Sequence, residues 1–191
     1  EAKRCLECGW QAVYECRLKK FAEEYGAAVK RYAGDYQKHP IDDSHPYINR
    51  DPSKCILCGR CIRICQEVQG IGVFGYVKRG FASYISPPFE MKLGEASTCI
   101  GCGQCVSSCP VGALTEKNPV GKTVPLPETI TPTLCPVCSV NCPVEYRHHG
   151  SLLTRITDRR VEGEPRKLCD RGKFQNPHAF AVSRWCSQVD A

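Results

Sequence analysis

The chain has 191 residues, 16 of them Cys, with 16 Gly, 14 Pro, 8% aromatic residues and a formal net charge of +6. A cysteine load this high is foreign to an ordinary domain and leaves disulfide staples or bound metal as the common explanations, while the scarcity of apolar bulk argues for metal as a source of folding free energy. No apolar run approaches the roughly 20 residues a membrane span needs, and the basic residues, densest at Lys19-Lys20 and Arg159-Arg160, alternate with acids in a way that predicts no nucleic-acid surface.

The first 50 residues hold Cys5, Cys8 and Cys16, followed by Leu18, Phe21, Ala22 and Tyr25 at helical spacing, with Lys19, Lys20, Glu23 and Glu24 opposite. This predicts an amphipathic helix that stops near Gly26. A polar, Pro-containing stretch, His39-Pro40 through His45-Pro46, places a boundary near Arg50. Residues 51–117 then contain one pattern twice, C-x2-C-x2-C-x3-C, at Cys55, Cys58, Cys61 and Cys65 and again at Cys99, Cys102, Cys105 and Cys109. Between the copies, Phe74 to Ile85 alternates around Gly75 and Gly80 and predicts a β-hairpin. Residues 118–133, with Pro119, Pro125, Pro127 and Pro132, read as a linker. In residues 134–191 the spacing is C-x2-C-x3-C-x26-C, at Cys135, Cys138, Cys142 and Cys169, with a second hairpin expected to turn at Gly150. Cys186 is left over. Glu1 at the start and Met91 as the single methionine suggest a processed product or part of a longer polypeptide.

The spacing selects the chemistry. Three thiolates on one short loop can each take a different iron corner of a cubane, whereas a structural zinc uses two knuckles from separated loops. In two-cluster proteins with this repeat the fourth Cys of each run ligates the other cluster. That rule assigns Cys55, Cys58, Cys61 and Cys109 to one cluster and Cys99, Cys102, Cys105 and Cys65 to the second. Gly59, Gly101 and Gly103 would let backbone amides approach the sulfides. On these residues, 51–117 resembles a bacterial two-[4Fe-4S] ferredoxin domain. It keeps Pro110 after Cys109 but has Gln66 where the simplest ferredoxins have Pro after the fourth Cys of the first run.

The last group, ending Leu168-Cys169-Asp170-Arg171-Gly172-Lys173-Phe174, resembles the small iron-sulfur domain that opens molybdopterin oxidoreductases such as formate dehydrogenase, and its counterpart in NADH dehydrogenase. The resemblance implies a cubane on Cys135, Cys138, Cys142 and Cys169, with Arg171 in the place of a basic residue between cluster and pterin. A zinc site is the alternative there. The first group resembles a segment of NADH dehydrogenase and iron-hydrogenase subunits that binds a cluster through one His and three Cys. Its opening, Glu1 to Cys5, also resembles flavoproteins related to the small subunit of glutamate synthase that carry iron-sulfur extensions. The fourth ligand stays open among an upstream residue, His39, His45 and Cys186. His39, His45, His148 and His149 read first as structural or surface residues, and the Gly70 to Gly75 stretch lacks the preceding strand that a dinucleotide fingerprint requires.

The expected fold class is α+β in small metal-stabilised domains, a two-[4Fe-4S] ferredoxin-like domain plus a small molybdopterin-oxidoreductase-type domain. The order of resemblances implies an electron-transfer module with three to four [4Fe-4S] clusters, four being favoured, and no catalytic residue in this chain. Its implied setting is a cytoplasmic multisubunit oxidoreductase with a flavin-containing NAD(P)H subunit and ferredoxin as partners. The alternative is the front part of a formate-dehydrogenase-like pterin enzyme. An oxidised cubane on four thiolates carries about −2 and a three-thiolate site about −1. A full load would therefore bring the +6 chain near neutrality.

Overall fold

The structure is a computed structural model that describes residues 6, 8, 16–27, 37–117, 127–150, 152–159 and 168–174. The predicted first helix forms as α1, Arg17–Glu24. Among the described residues its apolar face meets no core: Leu18, Phe21 and Tyr25 are exposed.

The ferredoxin-like unit is pinned by a short antiparallel pair that closes the ends of its chain. Strand β1, Ile48–Arg50, pairs with β4, Leu114–Glu116, in the register Ile48 to Glu116 and Arg50 to Leu114. A further bridge joins Asp42 to Arg50. The unit therefore begins before residue 51, where the polar Pro-containing stretch had suggested a boundary. Ile48, 1% exposed, is a core residue that single-strand alternation in three residues is too short to reveal. Helix α2, Arg60–Arg63, follows the first cysteine loop and runs on as one π-helical turn, Ile64–Val68, that carries Cys65. Such turns are uncommon and concentrate at functional sites. The predicted hairpin forms as β2, Gly75–Val77, against β3, Tyr84–Ser86. Helix α3, Gln104–Ser108, follows the second loop and packs on α2. One core joins Ile48, Val73, Phe74, Ile85, Leu93, Val106 and Leu114 with Cys61, Cys65 and Cys105.

The last unit is a three-stranded antiparallel sheet in the order β5, β6, β7. Strand β6, Pro143–His149, and β7, Leu152–Asp158, form the hairpin expected at Gly150. Val144, Tyr146 and His148 are buried on alternate positions of β6, the period of a half-buried strand. Strand β5, Thr129–Leu134, takes up the end of the stretch read as a linker and runs one residue past it. Its β-branched Thr129, Thr131 and Thr133 favour extension. Pro132 is tolerated because β5 is an edge strand. Residues 118–126 of that stretch lie outside the described residues. Helix α4, Asp170–Phe174, closes the unit over a core of Cys135, Val144, Tyr146, Ile156 and Leu168.

Asp42 holds the entry to the ferredoxin-like unit. Its carboxylate accepts from the Ser44 hydroxyl at 2.6 Å and the Leu93 N–H at 2.8 Å, and pairs with the Arg50 guanidinium at 3.3 Å. Arg50 also donates to the Ile85 carbonyl at 2.9 Å. Burial alone would raise the Asp42 pKa, but the bonds from Ser44 and Leu93 and the charge of Arg50 outweigh it and hold it below 3.8. The stabilisation is thus present above that ordinary value and is lost only as pH falls through the lowered one. Replacing Asp42 by Asn is expected to cost about 1–3 kcal/mol, because Arg50 is then left buried and unpaired. Denaturant midpoints of Asp42→Asn, Arg50→Gln and the double variant test this. The double variant should lose less than the sum of the two, and strict additivity would mean that the two groups do not act as a pair.

Candidate metal centres

Each cysteine loop of the repeat bends through two left-handed residues, and the two copies do so at matching positions. In the first, Leu57 has φ +58° and Gly59 +69°; in the second, Gly101 has +65° and Gly103 +66°. The bends turn backbone N–H groups toward sulfur. The Leu57 N–H donates to Cys55 Sγ at 3.4 Å, and Val73 N–H to Cys65 Sγ at 3.3 Å. The amides of Gly101, Gln104 and Ile62 act in the same way on Cys99, Cys102 and Cys61.

Two cavities result. One is lined by Cys55, Cys58, Cys61 and Cys109, walled by Phe74, Ile85 and Leu114 with Arg50 at its edge. The other is lined by Cys65, Cys99, Cys102 and Cys105, walled by Ile48, Val73 and Phe74 with Gln104 beside it. Each set takes three thiols from one repeat and the fourth from the other. Burial, chiefly, pushes the thiols of Cys55, Cys61, Cys99, Cys102 and Cys105 up, Cys61 to about 12, and neighbouring thiols of the same set add to it. Among the described cysteines none is in a disulfide. Nor, among the described residues, do three Cys, His, Asp or Glu side chains converge on a point where one ion would sit.

That donor set fits an iron-sulfur cluster. Four soft sulfurs, buried or half-buried, stand around a volume rather than at a point, and several are met by backbone donors that stabilise thiolate and sulfide. A second sign is Gln104, 1% exposed in the wall of the second cavity, whose Oε1 and Nε2 have no hydrogen-bond partner. Buried amides are rarely left so without a group absent from the protein itself.

Around the second cavity the structure adds two groups that sequence reasoning did not single out for this place. His45, one of the residues left open for the first group, is 5% exposed and stands with Nε2 3.8 Å from Cys99 Sγ. Its Nδ1 accepts the Tyr47 N–H at 3.1 Å, which puts the proton of the neutral ring on Nε2, facing the sulfur. Lys173, on α4, reaches the other side of the same loop and is likewise buried. Burial pushes its pKa down, opposed by Glu116, Cys105 and Cys102. Nothing in the sequence separates Lys173 from the other lysines.

The remaining groups divide. Cys135, Cys138, Cys142 and Cys169 come together: the thiol of Cys142 is raised by burial first and then by the other three. Asn141, at φ +46°, makes the turn between them, and the Cys135 N–H bonds the Cys142 carbonyl at 2.8 Å. Arg171 is exposed on α4. Of the first group, Cys8 and Cys16 are exposed, and Cys5 lies outside the described residues, as does Cys186. His148 is buried and tied to Thr131 and Gly150, a structural role. No helix among the described residues is long and apolar enough to cross a membrane.

Comparison with known proteins agrees with this geometry. Residues 45–115 match the family described as NADH-quinone oxidoreductase subunit 3, ferredoxin-like domain. The chain is 32% identical over 160 residues, 84% of its length, to the NADPH-Fe(3+) oxidoreductase subunit alpha of Geobacter sulfurreducens, covering 18% of that protein. It is 41% identical over 122 residues to the NADP-reducing hydrogenase subunit HndD of Solidesulfovibrio fructosivorans, covering 64% of this chain and 20% of that one. With NADH-quinone oxidoreductase subunit 3 of Thermus thermophilus it shares 29% identity over 175 residues, 83% of this chain and 22% of that one. The chain thus spans about a fifth of the length of these relatives.

The matched bends separate strain from fit. Leu57 is a β-carbon-bearing residue held left-handed, at a cost of about 1–2 kcal/mol that glycine avoids, while at Gly101 an added Cβ would stand 3.2 Å from Asp170 Cβ. Gly101→Ala is therefore expected to lower stability by about 1–2 kcal/mol, and Leu57→Gly to leave it unchanged or higher, at equal iron content. Denaturation curves that show an equal loss for both would contradict the strain account.

Proposed function

We propose, from the premise that residues 45–115 are a ferredoxin-like iron-sulfur domain and that the chain is homologous to the iron-sulfur region of NAD(P)H-linked oxidoreductases and hydrogenases, that it is a multi-cluster electron-transfer module. Cys55, Cys58, Cys61 and Cys109 hold one [4Fe-4S] cluster, and Cys99, Cys102, Cys105 and Cys65 hold a second. Cys135, Cys138, Cys142 and Cys169 hold a third in a small domain of the molybdopterin-oxidoreductase type, and Cys5, Cys8 and Cys16 supply three ligands of a fourth. The three-cysteine segment precedes Asp42, the ferredoxin-like unit runs over about 42–117, and the last unit begins near Thr129. The chain works in the cytoplasm, between a flavin-containing NAD(P)H subunit and ferredoxin or another redox partner. Arg171, exposed at the surface beside the third group, is the residue offered to a neighbouring cofactor.

The observation that carries this reading is the pair of cavities, each ringed by three cysteines of one repeat and one of the other. Each cluster, when bound, takes up and releases a single electron with little rearrangement. The protein's part is to seal the sites with Phe74, Ile85, Ile48 and Val73, to aim the amides of Leu57, Gly101 and Gln104 at sulfur, and to offset charge with Arg50 and Lys173. These are the levers by which a protein sets a reduction potential.

Anaerobic purification with iron and sulfide analysis, followed by low-temperature EPR of the reduced protein, tests the reading. Four cubanes require about sixteen irons per chain. Cys169→Ser should lose about four and leave the signals of the ferredoxin-like pair unchanged; Cys16→Ser should do the same for a different signal. Zinc in place of iron, with no broad absorption in the visible, would sink the proposal.

A further inference from the structure

Helix α4 is one turn and a half long, and its two sides face two different sets of cysteines. Gly172 lies against the third group: a Cβ there would stand 3.2 Å from Cys135 Sγ and 3.9 Å from Cys169 Sγ. Lys173 and Phe174 lie against the second cysteine loop of the ferredoxin-like unit. A Cβ on Gly103 would come within 2.6 Å of Lys173 Cδ and 2.7 Å of Phe174 Cζ, and one on Gly101 within 3.2 Å of Asp170 Cβ. The Phe174 ring stacks on Tyr47 at 5.0 Å. A single helix diameter is about 10–12 Å with its side chains, and among the described residues α4 alone makes these contacts with both the third group and the second loop.

Into this junction the fold places a cation that water does not reach. The Lys173 side chain is 2% exposed. Its ammonium donates to the Gly103 carbonyl at 3.1 Å and to the Ser107 hydroxyl, and pairs with the Glu116 carboxylate at 3.6 Å. Two of its three donors are thus spent in hydrogen bonds, and Glu116 balances part of its charge. Desolvating an ammonium costs several kcal/mol, and a docking contact between two small units could be made with apolar residues at no such cost. A buried charge kept at that place is more economically explained by a charge it faces. Cys102 and Cys105 both feel Lys173, in the sense that favours thiolate. Glu116, its ion-pair partner on β4, is 18% exposed, so that its charge is better screened by water than that of the ammonium.

We propose that Lys173 sets the potential of the second site: supplied by the third unit, its ammonium raises the reduction potential of the cluster held by Cys65, Cys99, Cys102 and Cys105, and ties that potential to the docking of α4. A reduced cluster carries one more negative charge than an oxidised one, and a fixed cation in a poorly screened interior stabilises the more negative state. Glu116 opposes the effect and limits its size. The role differs from that of Arg171, which points out of the opposite side of the helix to solvent. The inference rests on the cluster assignment above.

EPR-monitored redox titration of the full chain, loaded with its clusters, tests it. The second-site signal is identified as the one that Cys102→Ala removes. Lys173→Met should shift the midpoint of that signal to more negative potential at unchanged iron content and leave the first-site signal in place, while Lys173→Arg should restore it toward the parent value. Glu116→Gln should move the same midpoint the other way, to more positive potential. A Lys173→Met protein with full iron and an unmoved second-site midpoint overturns the proposal. If Lys173→Met instead loses iron, Glu116→Gln decides: a midpoint that stays or falls overturns it. A parent protein without two ferredoxin-type signals would refute the cluster assignment rather than the role of Lys173.

Discussion

A ring of four thiols shut away from water has two ways to be stable: each sulfur keeps its proton, or the ring closes on a cationic core. In the ferredoxin-like unit burial drives the thiols of Cys61 and Cys105 far above their ordinary range, and amides converge on the sulfurs as they would on thiolates. Only the second solution uses both features. Much of the local architecture follows from the need to build such rings in a small unit. The loops bend left-handed twice and bring amides inward, the helix after the first loop widens into a π turn that carries Cys65, and Val73, ahead of β2, donates its N–H to that sulfur.

The same constraint shapes the electrostatics. Part of the chain's positive charge is carried inward, at Arg50 beside the first ring, paired with Asp42, and at Lys173 beside the second, paired with Glu116. His45 adds a neutral donor against Cys99. In a medium that screens poorly, such placements act on the redox centre far more strongly than equal charges at the surface. A net positive composition is in this setting a counterweight to buried anionic metal sites.

The cysteine pattern was legible because a duplicated triplet with a distant fourth residue has few other physical uses, and the two hairpins were legible from their glycines. The strands that frame the units were not. Three residues at Ile48–Arg50 are too few for a period-two pattern to stand out, and β5 hides its Thr alternation behind Pro132, which reads as a breaker until an edge position makes room for it. Lys173 and His45 were illegible for a different reason: they act across the fold, one 70 residues from Gly103 and one 54 from Cys99, and nothing local marks them. Leu57 sits between the two cases. The repeat predicts glycine there by analogy with Gly101, but the first loop accepts the strain of a side chain at 40% exposure.

Helix α4 also has a bearing on the order in which the molecule is completed during synthesis. Cys169 emerges long after Cys135, Cys138 and Cys142, and the helix that follows it seats its Lys173 on a loop made far earlier. A nascent chain therefore carries every cysteine of the ferredoxin-like unit before the third group is complete. The last helix, and with it the last thiol, therefore meets a second loop whose residues were made about 70 positions earlier.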